Sequence, residues 1–161
     1  MMEFHWRIRQ ITQENPGLMD ALLKIFGEVF SDLEAYIRNR PCTDYIQQLL
    51  GSGYFIALVA LKDEQVIGGL AAYELRKFEQ ERSEIYIYDL AVLEAHRRQG
   101  IATALIQELK NIAVDRGAYT IFVQADTGPE DEAAIALYSR LGSKENVLHF
   151  DIPVRSRTTA P

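Results

Sequence analysis

The segment that most constrains the fold is residues 84–106, "EIYIYDLAVLEAHRRQGIATALI". Its first nine residues are rich in β-branched and aromatic side chains, which predicts a buried strand over 84–92. Helical spacing runs from Ile101 to Arg116, with Gly117 as its stop. Between them lies a short charged loop, His96, Arg97, Arg98 and Gln99, closed by Gly100. A strand that feeds a helix through a tight loop is the repeating unit of α/β architecture.

The loop also carries chemistry. The first backbone N–H groups of a helix have no intrahelical partner, and the helix dipole favours negative charge there. Gly100 lets a ligand approach the backbone, Ala102 keeps the first turn narrow, and Arg97 and Arg98 can neutralise phosphate. Neither GxGxxG nor GxxxxGK[ST] occurs, so the dinucleotide and nucleoside-triphosphate cradles are not supported. The same residues also read as a solvated basic loop, and the pattern alone leaves both readings open.

Charge and composition narrow the function classes. The 161 residues carry 17 Lys and Arg against 23 Asp and Glu, a net charge of −6, which argues against a nucleic-acid partner. An acidic surface attracts a cationic partner, or serves solubility alone. No apolar run approaches the ~18 residues of a membrane span. The start "MMEFHWRIRQ" is not a secretory signal. A single cysteine, Cys42, fits a reducing compartment, and cytoplasmic residence is expected. Cys42 has no His nearby in sequence, and His5, His96 and His149 lack ligand spacing, so neither an acyl-cysteine relay nor a metal is expected.

Elsewhere, alternation predicts a strand over 4–11, and helical spacing predicts helices over 18–30 and 32–39. Pro41 breaks the second, and Thr43 is expected to cap a short helix that ends near Gly51. Strands at 54–61 and 66–75 flank the polar turn "KDEQ" as a hairpin. A strand at 119–125, a helix at 130–141 and a final strand at 146–152 complete an α/β fold, a mixed sheet with helices on both faces. One domain is expected over 1–153, with a disordered tail at 154–161.

Asp89 alternates with Ile85, Ile87 and Ala91 along its strand. A carboxylate in such company needs a partner or a purpose. It reads as a general base, as an anchor for a cationic group, or as an acid that orders a loop. Tyr88 falls on the opposite face unless a bulge intervenes.

Arg97-x-x-Gly100-x-Ala102, after a strand that ends Leu90-Ala91-Val92, resembles the acyl-coenzyme A signature of the GNAT superfamily of N-acetyltransferases. The run 77–106 is similar to aminoglycoside 3-N-acetyltransferases of type I, as are "FIALVAL", "VQAD", "ALYSRLG" and "HFDI". The resemblance covers about 4–152. It implies a GNAT fold, acetyl-CoA as co-substrate, and direct acetyl transfer to the 3-amino group of an aminoglycoside, conferring resistance. It places the pyrophosphate on Arg97, Arg98, Gln99, Gly100, Ile101, Ala102 and Thr103. Pantetheine pairs with Leu90, Ala91 and Val92, whose amides face the reacting carbonyl.

The resemblance also makes Tyr138 the donor to the departing thiolate. By spacing alone, Tyr138 reads as a packing residue. Many family members carry Asn where this chain has Asp131. Glu28, Asp32, Glu84, Tyr88 and Asp126 are expected to face the cationic substrate, or, for the four acids, to be ordinary surface groups. Family relatives are often dimers, so a homodimer is expected. Two other functions fit the same residues: acetylation of another amine (a polyamine, a protein lysine or an N-terminus), or a non-catalytic acetyl-CoA sensor.

Overall fold

A computed structural model describes residues 5–155. Phe4, placed in the first strand by its alternation, and residues 156–161 of the expected tail lie outside the described residues. The chain divides into two compact units, one running through Gln124 and the other starting at Ala125.

The first unit holds a five-stranded sheet in the order β1-β2-β3-β4-β5. Its strands are β1 (Arg7–Gln10), β2 (Phe55–Lys62), β3 (Gln65–Arg76), β4 (Ser83–Val92) and β5 (Ala118–Val123). β1 to β4 run antiparallel, while β4 and β5 pair in parallel. A parallel pair needs a crossover, and α3 (Ile101–Arg116) supplies it. The hairpin between β2 and β3 turns on Asp63 and Glu64, both at positive φ (48° and 61°), which suits the twist of the flanking strands.

Helices pack on both faces, as the sequence pattern requires. On one face, α1 (Gly17–Val29) and α2 (Thr43–Leu50) bury Met19, Leu22, Ile25, Phe26 and Ile46 against Phe55, Ala57, Val59 and Leu61 of β2. The alternate residues of β2, Ile56, Leu58 and Ala60, are fully buried on the other side, with Leu105 and Leu109 of α3. With both faces covered, β2 is apolar from Phe55 to Leu61, and each large side chain it buries is worth roughly 1.5–3 kcal/mol.

Several expectations change. The first strand covers only Arg7–Gln10. Residues 32–39 form a single π-helical turn, Glu34–Arg38, instead of an α-helix. Thr43 is the first residue of α2 and not its cap; Cys42 holds the capping position.

The second unit contains a 3₁₀ turn, Pro129–Asp131, and then α4 (Glu132–Leu141), after which Gly142 is extended. The strand expected at 146–152 does not form. Residues 143–155 carry neither helix nor strand, and Val147, Leu148, Phe150 and Ile152 are exposed. A strand exists by pairing, and no described strand pairs with this segment; alternation alone cannot supply the ladder. No helix among the described residues is long and apolar enough to cross a membrane.

Gly69 is a packing requirement. A Cβ there would lie 2.5 Å from Leu22 Cδ1 and 2.5 Å from the Leu58 carbonyl oxygen. Gly69→Ala is expected to lower stability by about 2 kcal/mol, read as a lower urea midpoint at unchanged slope.

Candidate active site

The register of β4 changes at one residue. Ala72 pairs with Ile87 and Ala71 with Asp89, so Tyr88 is an extra residue in a β-bulge. A one-residue insertion reverses the alternation beyond it. Asp89 therefore leaves the face of Ile85 and Ile87 and joins that of Tyr73 and Tyr86, beneath α1. The expectation that Tyr88 opposes this face is corrected by the same bulge. Its exposed ring meets Tyr73 edge-on at 5.9 Å and Tyr86 at 5.8 Å. Tyr86 in turn stacks on Phe122 at 4.8 Å.

Asp89 is partly buried and has no ion-pair partner among the described residues. It accepts one hydrogen bond, from the Tyr36 hydroxyl to Oδ2 at 2.8 Å. Burial pushes its carboxyl above the ordinary aspartate value, and the Tyr36 bond partly offsets that. Tyr36 is raised strongly, by burial and then by Asp89. Sequence reading missed Tyr36. A partial signal was present: Leu33, Tyr36 and Ile37 have i, i+3, i+4 spacing, of which the fold half-buries Tyr36 and Ile37 and leaves Leu33 exposed.

The same strand opens an edge. Pairing between β4 and β5 ends at Ile87 and Val123, so among the described residues no strand lies beside Tyr88 to Val92 on that side. The chain then makes a 3₁₀ turn, Glu94–His96, and enters α3. Arg98 sits at φ +60° and Gly100 at φ +79°, both left-handed. A left-handed residue beside a helical one, as Gly100 is beside Ile101, aims successive N–H groups into a concavity that suits an anion. α3 has no acidic residue in its first turn and no side-chain cap, which leaves the amides of Ile101, Ala102 and Thr103 for a ligand. A Cβ on Gly100 would meet nothing within 4 Å, so the space above it is open.

The two arginines differ. The Arg97 Nε donates to the Val92 carbonyl at 3.2 Å and braces the turn onto the strand end. Arg98 is exposed and makes no such bond, as does not Gln99. The open β4 edge and the uncapped, basic helix start fit an elongated anionic coenzyme.

The remaining expected residues are scattered. Glu84 lies five residues before Asp89 on β4, roughly 16 Å away along the strand. It accepts a hydrogen bond from Tyr119 and faces Lys77 at 3.5 Å, which together hold its carboxyl below the usual range. Glu28 is exposed on α1. The Asp32 carboxylate accepts the Ala35 N–H at 3.0 Å, closing the turn that carries Tyr36. Asp126 and Tyr138 belong to the second unit. There, the Asp126 N–H donates to the Asp131 carboxylate at 2.7 Å, so Asp131 orders the approach to α4. Tyr138 is largely buried, and burial with the nearby Asp131 charge pushes its phenol up to about 12.

The acetyltransferase (GNAT) family model matches residues 16–143. This chain belongs to the GNAT family. Among solved GNAT structures, an aminoglycoside acetyltransferase, HMB0005, from an uncultured soil metagenomic sample is 63% identical. It has a TM-score of 0.92 over 93% of this chain and 99% of that one. A second soil metagenomic aminoglycoside acetyltransferase, meta-AAC0020, in complex with sisomicin, is 29% identical, with a TM-score of 0.84 over 94% and 97% of the two chains. N-acetyltransferase 8B of Rattus norvegicus is 34% identical over 100 residues, which is 62% of this chain and 43% of that protein. The chain thus spans about half the length of the curated relatives it matches.

Asp89 leaves a thermodynamic signature. A carboxyl raised in the folded state stabilises below its unfolded pKa, and that contribution is lost as pH rises through the folded value. Asp89→Asn keeps an acceptor for Tyr36 and removes the buried charge. The variant is expected to exceed the wild type in stability at pH 7, with the gap closing below about pH 4. Denaturant unfolding at both pH values measures it.

Proposed function

We propose that this protein is an acetyl-CoA-dependent N-acetyltransferase that acts on the 3-amino group of aminoglycosides and so confers resistance. The observation that carries the reading is one open strand edge with opposite charge preferences at its two ends. At one end Asp89 is a partly buried acid without a cation. At the other, Arg98 and the free amides of α3 await an anion.

Acetyl-CoA supplies the activated acetyl group when bound. Arg98, Gly100, Ile101, Ala102 and Thr103 hold its phosphates at the helix start, where dipole and side-chain charge act together. Arg97 positions the Val92 carbonyl rather than spending its guanidinium on phosphate alone. The β4 edge from Leu90 to Val92 offers main-chain groups to an extended arm, as in strand addition.

Asp89 first attracts the ammonium and then accepts the proton that the amine must lose to attack. A raised pKa makes it a better base than an ordinary aspartate. Tyr138, held protonated near pKa 12, donates a hydrogen bond to the departing thiolate. It does not hand over its proton outright, because a thiol at ~8.5 is much the stronger acid. Tyr88, on the bulge, offers an aromatic edge to the sugar rings. Glu28 and Asp126 serve as outer acidic contacts for the remaining ammonium groups. A homodimer in a reducing cytoplasm completes the reading.

The aminoglycoside assignment rests on HMB0005 and on the sisomicin complex of meta-AAC0020. Acetylation of a polyamine or a protein amine competes with it, because the curated relatives include N-acetyltransferases of other kinds. Thiol release from acetyl-CoA is expected with sisomicin and gentamicin and to be at background with spermidine and peptides. The reverse pattern overturns the substrate assignment, and no turnover with any amine favours a coenzyme sensor. Asp89→Asn is expected to lower kcat by about 10²-fold while sparing coenzyme affinity. Arg98→Ala is expected to weaken acetyl-CoA binding several-fold, with a smaller loss at high salt.

A further inference from the structure

The amine-facing acid is held from outside its own strand. We propose that Tyr36 is a positioning residue for Asp89, and that Asp32 acts by closing the turn that presents Tyr36 instead of by touching substrate. This rests on Asp89 being the base of the reaction proposed above.

The Tyr36 hydroxyl occupies Oδ2, and no described residue donates to Oδ1. One oxygen is thereby fixed and the other is left to face the amine. Oδ1 takes the first proton from the ammonium and passes it to water; then, as the N–C bond forms and the thioester C–S bond breaks to release coenzyme A as its thiolate, Oδ1 takes the second proton that the nitrogen sheds and returns it to water. The ring of Tyr36 packs against the stacked pair Phe26 and Phe30, with its centroid 5.8 Å from each, which limits its rotation.

The turn is built to hold that ring. The Asp32 N–H donates to the Gly27 carbonyl at 3.0 Å, the Ala35 N–H to the Asp32 carboxylate at 3.0 Å, and the Tyr36 N–H to the Asp32 carbonyl at 3.3 Å. At Gly27, a Cβ would come within 3.3 Å of Ile37 and 3.4 Å of Tyr36, so glycine lets the turn lie against α1. A single π-turn replaces the longer helix expected here, and such turns often mark functional positions.

The groups coupled to Asp89 are phenols. Tyr36, Tyr73 and Tyr86 each feel its charge, while Tyr88 and Asp32 act on Tyr36. No lysine, arginine or histidine among the described residues pairs with it. The Tyr36 bond is the principal contact that favours the ionised carboxylate.

Carboxyl titration of Asp89 by NMR, on the full chain without ligands, tests this independently of any substrate. In Tyr36→Phe the Asp89 titration is expected to move to higher pH by on the order of one unit. The acid limb of kcat/KM with sisomicin is expected to follow. An unmoved carboxyl titration overturns the proposal, even if the enzyme acetylates aminoglycosides. A shifted titration with no turnover keeps the coupling and instead defeats the assigned reaction. If Tyr36→Phe fails to fold, the Tyr36 phenol is titrated in wild type and in Asp89→Asn; a fall in the variant supports the pair, and no change overturns it. Asp32→Asn preserves a turn cap, whereas Asp32→Ala does not. Activity kept in the first and lost by about 10-fold in the second supports the turn role; equal loss in both assigns Asp32 to the substrate and overturns that part.

Discussion

The separation of β4 from β5 is the constraint on which the rest of the site depends. A strand in mid-sheet has both edges saturated and cannot bind anything through its backbone. Here pairing to β5 stops at Ile87, and β3 goes on holding the other edge through Val92. The extra residue Tyr88 sits at the point of departure, and its bulge bends and twists the strand there. One irregularity thus does two things: it coincides with the opening of the edge, and it turns Asp89 toward the aromatic face.

The cost of this arrangement is borne locally. An acid without a cation is pulled from water, and Arg98 adopts a left-handed conformation that a non-glycine residue disfavours by about 1–2 kcal/mol. The surroundings support both. Gly68 lets β3 lie close to the end of β4, where a Cβ would come 2.9 Å from the Ala91 carbonyl oxygen. Arg116, near the end of α3, bonds Glu74 at 2.7 Å and the Gly53 carbonyl, tying the helix to the sheet away from the site.

Much of this was legible in the residues. The bounds of α3 follow from Gly100 and Gly117, both in left-handed geometry that suits glycine. The hairpin at Asp63 and Glu64 and the strand at 84–92 follow from composition and alternation. The basic loop closed by Gly100 at the start of α3 was visible too, because its determinants are local in sequence. What was hidden depends on non-local contacts. Asp89 sits on the face of Tyr73 because of a bulge, and periodicity has no term for an inserted residue. Its contact with Tyr36 spans 53 positions. Asp32 and Glu84 are expected either to face substrate or to be ordinary surface acids; in the fold one closes a turn, and the other is engaged by Tyr119 and Lys77. The strand expected at 146–152 had the right alternation and found no partner.

Amide hydrogen exchange across the open edge tests the central claim most directly. Adding coenzyme A is predicted to slow exchange in the peptides that cover Tyr88 to Val92 and Ile101 to Thr103, and to leave the β2–β3 hairpin unchanged. Adding an aminoglycoside afterwards is predicted to protect the segment around Tyr36 and Asp89. Protection elsewhere in the chain, with these two segments exchanging as in the free protein, would contradict the account.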